Sequence, residues 1–110
     1  MKKNISKIEI KVELDNNKVP EKIKWNASDS NIKNKDTKAA FLSVWDSKNK
    51  ESLRIDLWTK DMPLDEMKLF FYQTLLSMST TFKRATSDEK MSQTMLDFCD
   101  YFAEKLQLKK

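Results

Sequence analysis

The chain has 110 residues, 39% of them hydrophobic and 35% charged, which suits one folded domain, residues 1–110, with a single core. It contains no glycine and no histidine, so glycine-rich phosphate loops are excluded and the commonest general base and metal ligand are missing. The net charge is +4, with 14 basic and 9 acidic side chains in residues 1–60 against 7 and 8 in residues 61–110. We therefore expect a protein that binds a partner, not an enzyme, and no cofactor or metal.

Two features of the sequence bear on where the protein is found. No apolar run approaches the ~20 residues that span a bilayer, and the basic residues 1–5 are not followed by the apolar segment of a signal peptide. The single cysteine, Cys99, cannot form an internal disulfide, so nothing indicates an oxidising compartment. We expect a cytoplasmic protein without a transmembrane segment.

The first half of the chain, within residues 7–59, predicts strands. Residues 7–14 alternate strictly between aliphatic and charged side chains, which is typical of a half-buried antiparallel strand. A shorter strand is predicted over residues 22–27, after Pro20, which we expect to interrupt the ladder. Residues 28–38 are rich in Asn, Asp, Ser and Lys, so they predict a mobile loop.

A hairpin is predicted from residues 39–46 and 51–59, around a turn at residues 47–50. If Asp46 pairs with Glu51, one face of the hairpin is entirely apolar. The pairs on that face are Val44 with Leu53, Leu42 with Ile55, and Ala40 with Leu57. The pairs on the other face are Ser43 with Arg54, and Phe41 with Asp56. A slip by one residue would invert both faces, so the pattern favours this register.

The second half predicts two helices within residues 62–108. The first begins around residues 61–63, since proline is tolerated in a first turn, and ends near Ala85. For the second we predict Thr86 as the N-cap, with Glu89 completing a capping box. Strands followed by helices indicate an α+β fold, an antiparallel sheet of about four strands with both helices packed on one face.

Three features that could carry chemistry have plainer explanations. Cys99 lacks an activating histidine and lies beside an apolar stripe, so we expect a buried core thiol. Asp97 with Asp100, and Asp61 with Asp65, lie one helical turn apart without a Cys or His partner, which indicates solvated helix charges. The methionines follow helical spacing, so we expect them in ordinary packing.

The strongest candidate site is aromatic. In the proposed register Phe41, Trp45 and Trp58 project from the sheet face opposite the helices. Basic residues share that face: Arg54, Lys60, Lys7, Lys11 and Lys24. Large exposed aromatic residues usually mark recognition, so we interpret Phe41, Trp45, Arg54, Trp58 and Lys60 as a surface for docking a protein or for self-association.

Three alternatives stay open for this surface. Long lysine and arginine stems, or residues 28–38, could simply cover the aromatic rings. A basic sheet with stacking aromatics is also how several single-strand nucleic-acid binders work, although the chain has no RNP-type motif. An edge strand at residues 22–27 could instead pair two copies as a homodimer.

Family-specific strings occur in the sequence at residues 42–48 (LSVWDSK) and 52–63 (SLRIDLWTKDMP), and shorter ones at residues 12–15, 19–22, 65–67, 84–86 and 97–102. On these strings the chain resembles the GldC family of gliding-motility proteins from gliding Bacteroidetes. The resemblance implies a cytoplasmic accessory protein with a protein partner in the gliding machinery, which is associated with a secretion system. It implies no enzymatic activity and no cofactor, and it transfers no catalytic residues.

Overall fold

The computed structural model describes residues 4–108, which form five strands, one short 3-10 turn and two helices. The elements are β1 (Ile8–Leu14), β2 (Pro20–Ala27), the 3-10 turn (Ser28–Ser30), β3 (Ile32–Thr37), β4 (Ala39–Asp46), β5 (Glu51–Trp58), α1 (Leu64–Thr86) and α2 (Glu89–Lys105). Antiparallel strands precede helices, which confirms the predicted α+β class, with five strands in two sheets where about four were predicted. The chain divides after Met62 into a strand unit and a helix unit.

The first sheet has the order β1-β2-β3, and one of its faces is apolar. The cross-strand pairs on that face are Ile8 with Ala27, Ile10 with Trp25, and Val12 with Ile23. Ile23 and Ala27 are buried, and Ile23 is completely inaccessible to solvent. The other face is charged, with Glu13 opposite Lys22 and Lys24 opposite Asp36. The alternation predicted for residues 7–14 therefore separates a core face from a solvated face.

Residues 28–38, predicted as a loop, contain a further strand, so that prediction is wrong. Ile32–Thr37 form β3, which pairs antiparallel with β2. Only the first and last residues of β3 are half-buried, and therefore its sequence shows no apolar alternation. Asn34 adopts a positive φ of 46°, and its N–H donates to Oδ1 of Asn26 at 2.9 Å. Asparagine tolerates this backbone conformation, so polar residues form an edge strand here without apolar packing.

Strand β2 is longer than the predicted segment of residues 22–27, and it is not an edge strand. It begins at Pro20 and lies between β1 and β3. The expectation that residues 22–27 offer a free edge for a second copy is therefore wrong. Pro20 is the first residue of β2, a position where a missing N–H is tolerated. It pairs with Leu14, and the register between β1 and β2 shifts just before this pair, between Glu13 and Leu14.

The β4–β5 hairpin has the register that the sequence predicts. Asp46 pairs with Glu51, and the pairs continue without a bulge to Ala39 with Trp58. Two backbone hydrogen bonds follow directly after β5: Thr59 N–H donates to Lys38 C=O at 2.8 Å, and Lys60 N–H donates to Pro20 C=O at 3.2 Å. Aliphatic residues of both sheets line one cavity of about 400 Å³, formed by Ile8, Ile10, Val12, Ala40, Leu42, Ile55 and Leu57.

The helix unit begins with Pro63 at the N-cap position of α1. The predicted capping box is wrong: Thr86 is the last residue of α1, and its hydroxyl donates to Phe82 C=O at 2.8 Å. Ser87 ends the helix in a left-handed conformation, and Asp88 is the N-cap of α2, accepting the Met91 N–H at 2.9 Å. An Asp two residues later performs the capping that we assigned to threonine.

Small residues bring α1 and α2 close together. Within α1 and α2 the buried residues are Ser79, Ser92, Cys99 and Ala103. The Ser92 hydroxyl donates to Ser79 C=O at 2.9 Å, so its polar group is satisfied inside the contact. Cys99 is a buried free thiol, as predicted. The packing of both helices on one sheet face, and a single domain over residues 1–110, stay predictions.

Candidate functional site

The register of the hairpin brings four of the five predicted site residues onto one face. Phe41 and Trp45 on β4 alternate with the aliphatic residues of the cavity, and Arg54 and Trp58 on β5 lie on the same side of the ladder. Trp45 is 61% exposed and Trp58 is 52% exposed, so neither ring is covered by lysine stems or by residues 28–38. We call Phe41, Trp45, Arg54, Asp56 and Trp58 the aromatic face.

The two tryptophans lie at opposite ends of the aromatic face. Trp58 is opposite Ala39, six residues along β4 from Trp45, which corresponds to about 20 Å at the usual strand rise. The half-buried Phe41 lies between them, beside Asp56. This is an elongated surface and not a pocket, so a ligand that contacts both tryptophans has to extend over about four turns of helix or about six residues of strand.

The charges of the aromatic face are paired. Arg54 Nη2 donates to Asp56 Oδ1 at 2.8 Å, and this hydrogen bond raises the pKa of Arg54. A cation and an anion therefore lie side by side between the two tryptophans, where we expected a basic surface. Arg54 already has a carboxylate partner on this face, which weakens the nucleic-acid alternative.

Lys60, the fifth predicted residue, lies beyond the end of β5 and contacts the β1–β2 connection. Its ammonium donates to Asp15 Oδ2 at 2.8 Å and lies 3.3 Å from Glu21 Oε1. The hydrogen bond from Lys60 contributes most to lowering the pKa of Asp15 to about 2, and the N–H groups of Val19 and Asn17 contribute as well. The hydrogen bonds to Asp15 and Glu21 raise the pKa of Lys60. Lys60 therefore joins the end of the hairpin to the first turn.

The sequence did not predict the contact between Asp15 and Lys60, because the two residues are 45 positions apart. The only local signal was the turn chemistry of Asp15 and the two asparagines that follow it. The remaining basic residues are dispersed: Lys11 and Lys24 lie opposite each other on the charged face of the first sheet, and Lys24 also faces Asp36. Of the five basic residues predicted to share the aromatic face, Arg54 and Lys60 are each paired with a carboxylate.

Replacing Lys60 with methionine is expected to lower the melting temperature at neutral pH. The pKa of Asp15 is lower in the folded protein than its ordinary value of 3.8, so folding stabilises the ionised carboxylate. Above about pH 4 this adds to the stability of the folded protein, and the added stability is lost as the pH falls towards 2. The difference between the wild type and Lys60→Met should therefore shrink between about pH 4 and pH 2. Thermal unfolding followed by circular dichroism across this range measures it.

Lys48→Met, in the hairpin turn, is the matched control for this experiment. Among the residues that the structure describes, Lys48 makes no salt bridge, so its replacement should leave the melting temperature almost unchanged. Added salt should reduce the effect of Lys60→Met, because the ammonium is about half exposed. An effect of Lys60→Met that is the same at pH 7 and pH 2 would contradict the role assigned to Asp15.

A known protein family matches most of the chain. The sequence model of the gliding motility-associated protein GldC-like family matches residues 20–108, so the chain belongs to this family. The matched residues include β4, β5 and both helices. Comparison with curated proteins and with solved structures gave no match. Within residues 4–108, neither helix is long and apolar enough to cross a membrane.

Proposed function

We propose that this member of the GldC-like family is a non-catalytic accessory protein of the gliding machinery of a gliding member of the Bacteroidetes. In this proposal it works in the cytoplasm and docks a protein partner through the aromatic face. Family membership supports the pathway, since the family is associated with gliding motility. The exposure of Trp45 and Trp58 on one side of a hairpin supports the docking surface.

The exposed tryptophans are the observation that carries the proposal. A tryptophan offers a large apolar area with few rotatable bonds, and tryptophan is enriched among the residues that dominate binding energies. Trp45 and Trp58 each leave more than half of their surface in solvent on a two-stranded ribbon. Burying them against a partner would remove this apolar surface from water. The binding free energy would gain roughly 25 cal/mol for each Å² of apolar surface buried.

The paired charges favour a protein over a nucleic acid as the partner. Single-strand binders neutralise phosphates with unpaired cations, and here Arg54 is paired with Asp56 while Lys60 is paired with Asp15 and Glu21. A protein segment can place a strand or a helix along the ~20 Å between the tryptophans and meet the Arg54–Asp56 pair with polar groups of its own.

Colony spreading tests the pathway and the surface in one experiment. We expect a strain that lacks the gene to lose spreading, and a plasmid copy of the wild type to restore it. A copy carrying Trp45→Ala and Trp58→Ala should not restore it, although the variant accumulates to the wild-type level and folds normally by circular dichroism. Normal spreading of the deletion strain would contradict the pathway, and full rescue by the double variant would contradict the docking surface.

A further inference from the structure

Helix α1 carries all its charge at its two ends. Asp65, Glu66 and Lys68 lie in the first turns, and Lys83 and Arg84 lie in the last turn. The 14 residues 69–82 contain no charged side chain, a length of about 21 Å along the helix. A solvated helix normally carries charges along its outer face, so this central section has the composition of an interface.

An open groove runs along the uncharged section. Its volume is about 620 Å³, and its lining includes Phe70, Thr74, Ser77, Met78, Phe82 and Met95. Met78 is 49% exposed, and Leu69, which also belongs to the uncharged section, is 41% exposed. The lining combines large aromatic and methionine side chains with small threonine and serine side chains, so another helix could approach the backbone of α1 closely at the small residues.

Glu66 and Arg84 lie on one line along the flank of this groove. They are 18 residues apart, which is five complete helical turns and about 27 Å. Gln73 and Ser77, which line the groove, lie between them on the same side of the helix. The midpoint of Glu66 and Arg84 is Leu75, and the midpoint of Gln73 and Ser77 is the same residue.

This symmetry gives α1 a surface that complements itself. We propose that α1 of a second copy of this chain packs antiparallel in the groove, about a two-fold axis at the level of Leu75. Glu66 of each copy then meets Arg84 of the other, and Gln73 of each copy meets Ser77 of the other. An isologous contact of this kind forms both pairs twice, and the antiparallel order also opposes the two helix dipoles favourably.

The charges at the ends of the groove are available for these pairs. Neither Glu66 nor Arg84 makes a salt bridge within residues 4–108, where the nearest ion pair joins Lys83 to Glu89 at 3.8 Å. Arg84 Nη2 has a long contact, 3.5 Å, with the Thr81 hydroxyl. A second copy would supply an oppositely charged partner for each of the two groups.

The groove on α1 alone is too small for a stable dimer interface, so α2 contributes to the interface as well. A stable interface buries about 800 Å² per partner, whereas a strip of α1 about 27 Å long and 10 Å wide supplies only part of that. Met95 of α2 lines the groove, and Met91 and Phe98 on the same helix are about half exposed. The second copy therefore contacts both helices, which yields a four-helix arrangement with helices about 20° from antiparallel.

Charge reversal tests this dimer in solution. We expect sedimentation velocity to show a dimer of the wild type over a concentration series at low salt. Glu66→Arg and Arg84→Glu should each weaken the association at least tenfold, because like charges then meet at both ends of the groove. An equimolar mixture of the two variants should dimerise again. In the mixed dimer the two substituted side chains face each other with opposite charges, and the unchanged Arg84 of one copy faces the unchanged Glu66 of the other.

Lys90→Glu is the matched control, since it changes the net charge as much as Arg84→Glu but lies on α2 outside the groove. It should leave the dimer unchanged. A wild type that is monomeric at every concentration, single variants that dimerise like the wild type, a mixture that does not reassociate, or an equal loss in Lys90→Glu would each overturn the proposal.

Discussion

Replacing Ile23 with alanine is expected to lower the free energy of unfolding by about 2–5 kcal/mol, the range for removing a large aliphatic side chain from a core. Ile23 has no solvent exposure, and it lies on the central strand of its sheet between Val12 and Thr37. Because domains of this size are stable by only about 5–15 kcal/mol, this loss is a large fraction of the total stability. Urea denaturation followed by tryptophan fluorescence measures the loss.

Ile8→Ala is the matched control for that substitution. It removes the same atoms from the same apolar face, but Ile8 is 73% exposed at the start of β1. We expect its effect to remain within about 0.5 kcal/mol, as for most exposed positions. Equal losses at positions 8 and 23 would show that Ile8 is buried in solution, and a negligible loss at position 23 would contradict the packing of the first sheet.

The hairpin shows how far the sequence determines the fold. Its register could be predicted residue by residue, because period-two alternation on two strands of equal length leaves only one register with both faces consistent. The same rule identified Phe41, Trp45, Arg54 and Trp58 as neighbours on one face. Where the apolar pattern is regular, side-chain burial specifies the backbone pairing, and the position of each side chain follows.

The misassigned elements are those that backbone hydrogen bonds stabilise without an apolar pattern. Strand β3 pairs with β2 although four of its six residues are exposed, so periodicity could not reveal it. The N-cap of α2 is Asp88 and not Thr86, because α1 continues through Thr86 before the chain turns at Ser87. Several polar residues in a row offer alternative caps, and only the three-dimensional path of the chain selects among them.

The electrostatics of the candidate site could not be predicted from spacing alone. The sequence places Arg54 and Lys60 near the tryptophans, but it does not show that each is already paired. The pair Arg54–Asp56 is local, two residues apart on one strand, and could have been inferred from the alternation. The pair Lys60–Asp15 depends on the return of β5 to the first turn, and only the folded chain reveals it.

Loss of the two tryptophans should have the largest effect on function. If Trp45 and Trp58 dominate docking, each alanine substitution should weaken binding by at least about 2 kcal/mol, or about 30-fold, and the double substitution should abolish capture of the partner. Both side chains are exposed, so their removal should leave folding nearly intact, which circular dichroism verifies. Tyr101→Ala, an exposed aromatic residue on α2, is the matched control.

Affinity purification from the native cell tests most directly whether the two tryptophans dock the partner. The wild type, Trp45→Ala/Trp58→Ala and Tyr101→Ala are compared at equal abundance. We predict that the wild type and Tyr101→Ala capture the same protein of the gliding machinery and that the double variant does not. Capture of that protein by all three at equal yield would show that docking occurs elsewhere on the chain, and the aromatic face would then have no part in binding.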